Sequence, residues 1–80
     1  MSTYDRLKVI ITQKLGKNED LFFLEANYKN DLGFDSFELV ILVCQVEETF
    51  GIKVLDEEIN GIITVAGTIK LIEKHSTKTV

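Results

Sequence analysis

Leu39, Leu42, Val43, Val46 and Phe50 stand at i, i+3, i+4, i+7 and i+11. No other local pattern in the chain constrains its fold so tightly, because this spacing gathers apolar side chains on one face of an α-helix. The pattern predicts a helix over Ser36 to Phe50, ended by Gly51. Tyr4, Leu7, Ile11 and Leu15, with Ile10 widening the stripe, predict another from about Thr3 to Leu15. Ser2 followed by Asp5 suits its capped start, and Gly16 its stop. Thr64 can cap a last helix built on Val65, Ile69 and Ile72, with Ala66 small enough for close approach. Gly67 weakens that helix by up to about 1 kcal/mol relative to alanine. Asp56 to Asn60 reads as a short helix, acidic at its start as the helix dipole prefers, and stopped by Gly61.

Two stretches resist the helical period. Gly51 to Leu55, GIKVL, alternates weakly, but a single strand has nothing to pair with, so a loop is expected. Lys17 to Asp35 carries Leu21, Phe22, Phe23, Leu24, Tyr28, Leu32 and Phe34, too many apolar groups for a flexible linker. An ordered loop pinned to the core, with a helical turn near Asp20, is the expectation. The fold class is therefore all-α: a small antiparallel bundle of three main helices plus one short helix, with a long loop between helices one and two. One domain is expected over residues 1–80, with a core of about 3–73 and a polar, frayed tail from Lys74 to Val80.

A chain of 80 residues has room for one small core. Its 45% hydrophobic content exceeds what disordered chains carry. The single cysteine, Cys44, rules out an internal disulfide scaffold. No stretch approaches the roughly 18 apolar residues that a bilayer span requires. The start, MSTYDRLK, is polar and of mixed charge, unlike a signal peptide, so a reducing cytoplasm is expected. A net charge of −4 repels phosphate backbones and anionic membrane surfaces, which argues against nucleic-acid binding. Partners steered by charge should present basic patches.

The stretch that carries chemistry is DLGFDSFEL, Asp31 to Leu39. Ser36 opens the best-defined helix, with Asp35 and Glu38 beside it and a glycine turn at Gly33. Free N–H groups and the positive dipole end at a helix start favour oxygen acceptors and negative charge, so a phosphodiester on Ser36 would be well placed. The alternative is that Ser36, or Asp35, simply caps the helix.

DLGFDSFEL closely resembles the modification site of acyl carrier proteins, whose signature has a D-L-G-x-D-S-[LM] core. The resemblance extends over nearly the whole chain: KVIITQKLG (Lys8 to Gly16) is similar to the end of the family's first helix. VEETFGIKVLDEE (Val46 to Glu58) is similar to the end of its second helix and the loop beyond, and ITVAGTIKLI (Ile63 to Ile72) to its last helix. The resemblance implies that Ser36 carries 4′-phosphopantetheine, donated from coenzyme A by a phosphopantetheinyl transferase with a magnesium ion. Asp35 would help to hold that metal at the transferase interface. It also implies a carrier rather than an enzyme, a tether for acyl thioesters in fatty acid, polyketide or related lipid biosynthesis. Acyl-loading and acyl-processing enzymes with basic surfaces would be its partners, and it would act as a monomer. Ser36 is then not a catalytic nucleophile, and the only histidine, His75, lies far along the chain in the polar tail.

Asp35, Phe37, Glu38, Ile41, Glu47, Glu48 and Asp56 are the expected partner-recognition residues. Glu38, Ile41, Gln45 and Glu48 form a stripe expected to lie largely opposite the core. Ile41 stands where fatty-acid-synthesis carriers commonly have an acidic residue, and Phe37 where they have leucine or methionine. Either Phe37 and Ile41 form an exposed apolar patch, or Ile41 tucks under a neighbouring loop. Leu55 replaces a frequent proline, and Cys44 a frequent methionine. Leu39, Leu42, Val43, Val46, Phe50, Ile62 and Ile69 would wall a core able to open for an acyl chain.

No metal site is expected. One cysteine and one distant histidine make none, and Asn30 to Ser36 lacks the calcium-loop pattern. Two other readings share much of the pattern: a carrier of aminoacyl, D-alanyl or peptidyl groups, and an unmodified helical interaction module. Peptidyl carriers usually place histidine where this chain has Asp35.

Overall fold

The structure, a computed structural model, describes residues 2–76. The first helix, α1 (Thr3–Val9), starts as expected, with Ser2 Oγ accepting the Asp5 N–H at 3.1 Å. From Ile10 to Lys14 the helix continues at the wider π pitch. Leu15 N–H reaches back to Ile10 O at 3.1 Å, and the Thr12 hydroxyl donates to Lys8 O at 2.7 Å. A side chain bonding into the backbone ladder is one known cause of such local unwinding. Ile10 and Ile11, adjacent in the chain, are both buried there. Gly16, with φ +68°, takes the left-handed conformation that ends the helix.

Helix α2 (Ser36–Phe50) has the bounds its periodicity predicts and ends on a left-handed Gly51 with φ 65°. Leu42, Val43 and Val46 are buried, and Leu39 and Phe50 are half-buried against the same core. Gly51 to Leu55 is a loop, as expected. Helix α3 (Asp56–Ile59) is short. Helix α4 (Val65–Ser76) is capped by Thr64 Oγ1, which accepts the Gly67 N–H at 3.1 Å. A Cβ at Gly67 would stand 3.4 Å from that hydroxyl, an ordinary contact. Helix α4 packs on α1 and α2 and buries Val65, Thr68 and Ile72, with Ile69 half-buried.

The tail departs from expectation. The chain does not leave the helix after Glu73; Lys74 and His75 continue α4 to Ser76. Their side chains reach Glu58, at 3.5 Å from Lys74 Nζ and 2.9 Å from His75 Nε2. Residues 77–80 of the expected tail lie outside the described residues.

The long first loop is ordered by its own apolar residues. Phe22, Ala26, Tyr28, Leu32 and Phe34 are buried, whereas Leu21, Phe23 and Leu24 are exposed. A 3-10 turn at Glu19–Leu21 fulfils the expectation of helix near Asp20. The loop runs beside the segment entering α4, through Tyr28 N–H to Ile63 O at 3.0 Å, Val65 N–H to Ala26 O at 3.1 Å and Ala66 N–H to Leu24 O at 2.8 Å. Asn27 Oδ1 accepts from the N–H groups of Lys29 and Asn30, at 3.0 and 2.9 Å, a side-chain turn typical of asparagine.

Tyr28 is the largest of these anchors to be fully buried. Its ring lies 5.1 Å from that of Phe34, and its hydroxyl is 2.6 Å from Thr68 Oγ1. Thr68 donates its own proton to Thr64 O at 3.2 Å, so the phenol is the donor to Thr68. Burial pushes the phenol pKa well above its ordinary value, keeping it a neutral donor.

Tyr28→Phe should therefore destabilise the domain by about 1 kcal/mol, roughly 4–8 °C in Tm, with Thr68 losing its donor. An unchanged urea midpoint would show that the hydroxyl bond contributes nothing net. A second expectation concerns pH. The Leu55 N–H donated to Glu58, together with His75 and Lys74, holds the Glu58 carboxyl below its ordinary value of 4.5. A depressed carboxylate stabilises the fold above its unfolded pKa, and the effect is lost as pH falls through the folded value. The stability gap between wild type and Glu58→Gln should thus narrow as pH is lowered from about 5 to about 3. A gap constant over that range would refute the assignment.

Candidate functional site

Ser36 is the first residue of α2, and the turn leading into it is held at each step. Gly33 adopts φ +70°, where residues with a Cβ are strained. Phe34 is buried and its N–H donates to Tyr28 O at 2.8 Å. Asp35 is extended, with φ −100°, and its Oδ1 accepts the Glu38 N–H at 2.7 Å. Glu38 Oε1 accepts the Asp35 N–H in return, at 3.3 Å, completing a capping box.

This geometry separates the two residues that the sequence left as alternative caps. Asp35 does the capping. Ser36 is exposed, and among the described residues its hydroxyl has no hydrogen-bond partner. It stands free at the positive end of a 15-residue helix, a location that favours an attached anion.

Ser36 borders a cleft of about 310 Å³ whose lining is part apolar, from Leu39, Val40, Ile59, Ile62 and Ile63, and part polar, from Lys29 and Asn60. Its volume is at the small end of the range for ligand sites. Of the residues expected to wall an opening core, Leu39 and Ile62 line this cleft; Leu42, Val43, Val46 and Ile62 are buried, and Leu39, Phe50 and Ile69 half-buried against the core.

The expected recognition residues divide. Phe37 is 72% exposed, and Asp35, Glu48 and Asp56 are also exposed. Glu38 is half-buried and turned inward, with both oxygens 2.9 Å from Lys17 Nζ. Glu47 is half-buried too, its Oε2 accepting the Val54 N–H at 2.8 Å, so it fastens the loop after α2. Ile41 is half-buried, and so is Gln45, which leaves Glu48 as the exposed member of the stripe expected to lie opposite the core. At 100° per residue the outward face runs instead through Phe37, Val40, Cys44 and Glu48. Of the two alternatives for Ile41, a half-buried side chain leaves Phe37 without it, and Val40, 53% exposed, is the apolar neighbour of Phe37 on the outward face. Its i+3 spacing from Phe37 could have revealed it. Ile63, 57% exposed on a loop, gave no periodic signal.

Among the described residues no cluster of histidine, cysteine and carboxylates could hold a metal ion. His75 is engaged by Glu58 where α3 meets α4. No helix among the described residues is long and apolar enough to cross a membrane.

An exposed serine without a hydrogen-bond partner thus heads the longest helix of a small helical bundle. A family model described as the phosphopantetheine attachment site matches residues 5–72. Acyl carrier proteins from two strains of Clostridium perfringens are 37% identical over 75 residues, covering 94% of this chain and 99% of each relative. The crystal structure of an acyl carrier protein from Thermotoga maritima matches with a TM-score of 0.85 at 30% identity, covering 95% of this chain and 88% of that one. The chain belongs to the acyl carrier protein family, whose attachment domain carries 4′-phosphopantetheine covalently.

Proposed function

We propose that Ser36 is the attachment point of the phosphopantetheine arm and that the protein is an acyl carrier for fatty acid, polyketide or related lipid biosynthesis, without catalytic activity of its own. The observation that carries this reading is the exposed Ser36 hydroxyl, relieved of capping by Asp35 and set at the positive end of α2. Modification forms a bond from Ser36 Oγ to a phosphorus of coenzyme A and breaks the bond to the adenosine bisphosphate leaving group. The arm supplies a terminal thiol on which an acyl group is carried as a thioester. The chain's own part is to present the hydroxyl, and to offer the cleft between Val40 and Ile63 to an apolar cargo. The free Cys44 suits a reducing cytoplasm.

The partners in this reading are the transferase and the acyl-loading and acyl-processing enzymes. Phe37, Val40 and Ile63 offer an apolar ridge with Glu48 and Asp56 exposed on the same molecule. An apolar depression rimmed by lysine or arginine would complement it.

Incubation with coenzyme A and a broad-specificity phosphopantetheinyl transferase should raise the intact mass by one phosphopantetheine, and Ser36→Ala should abolish the gain. A wild-type protein that gains no mass, or a Ser36→Ala protein that still does, sinks the assignment. With the same transferase, Val40→Glu should lower kcat/KM on the order of tenfold, as for a residue central to an interface. Ile41→Glu, altering a half-buried position, should have the smaller effect on docking; the reverse order would move the ridge to Ile41.

A further inference from the structure

Lys17 follows the left-handed Gly16 and is anchored by its own N–H, which donates to Ile11 O at 3.1 Å. From the end of the first helix its side chain crosses to the turn ahead of α2. There Nζ lies 2.9 Å from both Glu38 oxygens, 3.4 Å from Gly33 O and 5.0 Å from the Phe34 ring centroid. Glu38 Oε1 is shared, since it also accepts the Asp35 N–H. One ammonium group therefore touches Gly33 and Phe34 directly and Asp35 through Glu38, the residues that immediately precede Ser36.

We propose that Lys17 is a positioning residue for the modification of Ser36, fixing the Gly33–Asp35 turn so that the hydroxyl is presented in one geometry. The proposal rests on the reading of Ser36 as the attachment point. The Lys17 side chain is 17% exposed and that of Glu38 27%, so the pair is shielded more than an ordinary surface ion pair. Removing the ammonium leaves Glu38 half-buried without its cation and free to turn toward water. Its hold on the Asp35 N–H, and with it half of the capping box, goes too. The remainder of the loop stays pinned by Tyr28 and its neighbours, so the disturbance is confined to the approach to Ser36. Group transfer is sensitive to small displacements of the reacting atom, on the order of a hundredfold for 1 Å.

Charge makes this role distinguishable from docking. Lys17 neutralises Glu38, so its loss makes the head of α2 more acidic and should not weaken encounter with a basic transferase. Positioning predicts a lower kcat with KM unchanged or lower, whereas a docking contact predicts a higher KM.

The experiment is steady-state modification of the unmodified full chain by coenzyme A and the same transferase, for wild type, Lys17→Met and Lys17→Arg. Lys17→Met keeps most of the apolar stem and should lose on the order of tenfold in kcat without a rise in KM. Lys17→Arg, able to bind the Glu38 carboxylate through two N–H groups, should recover most of that loss. If Lys17→Met fails to fold, Lys17→Gln removes the same charge and is held to the same criterion. A folded variant with wild-type kcat, or one whose defect lies wholly in KM, overturns the proposal. A wild type that gains no mass would instead overturn the assignment of Ser36, and that result is known before any variant is compared.

Discussion

Tyr28 is the joint on which the rest of the structure depends. Its phenol donates to Thr68 in α4, its N–H donates to Ile63 O and its carbonyl accepts from Phe34. Burying a large aromatic with one polar atom is favourable only if that atom finds a partner, and Thr68 supplies it. Through these bonds a loop with no helical period of its own becomes a fixed support. Phe34, held by Tyr28, in turn places Gly33 and Asp35, and those place Ser36. The free serine is thus the last link in a chain of contacts that begins in the core.

Helix α2 is apolar on two faces, and each face has a different use. Leu42, Val43 and Val46 bury against the other elements. Phe37 and Val40 face solvent beside Ser36, with Ile63 exposed across the cleft. A small domain cannot bury all of its apolar surface, and scattered exposed side chains need no explanation. These three differ in lying on the side of the molecule that exposes Ser36. Glu38 and Glu47, expected to add charge to that surface, are instead spent on Lys17 and on the Val54 N–H. Of the carboxylates expected on that surface, Asp35, Glu48 and Asp56 are the ones left exposed.

Some of this was legible because it is local. Helix α2, its Gly51 stop, the Ser2 and Thr64 caps and the turn near Asp20 follow from neighbours within a few residues. Asp35 and Ser36 were likewise singled out by their place at a helix start, although only coordinates could say which of them caps. The π segment was not legible, because a helical stripe looks the same whether the ladder closes at four residues or five. Nor was the continuation of α4 through Lys74 and His75, since the residue that engages them, Glu58, lies 16 and 17 positions earlier.

By itself, then, the sequence determined the helical class, the order of the elements and the serine at the head of the central helix. Those properties depend on periodicity and capping, which act over a turn or two of chain. Only the tertiary structure decided that Asp35 caps and leaves Ser36 free, and that Lys17 meets Glu38 from 21 residues away. A long side chain's partner depends on where distant backbone brings a second group, and no local pattern records that position.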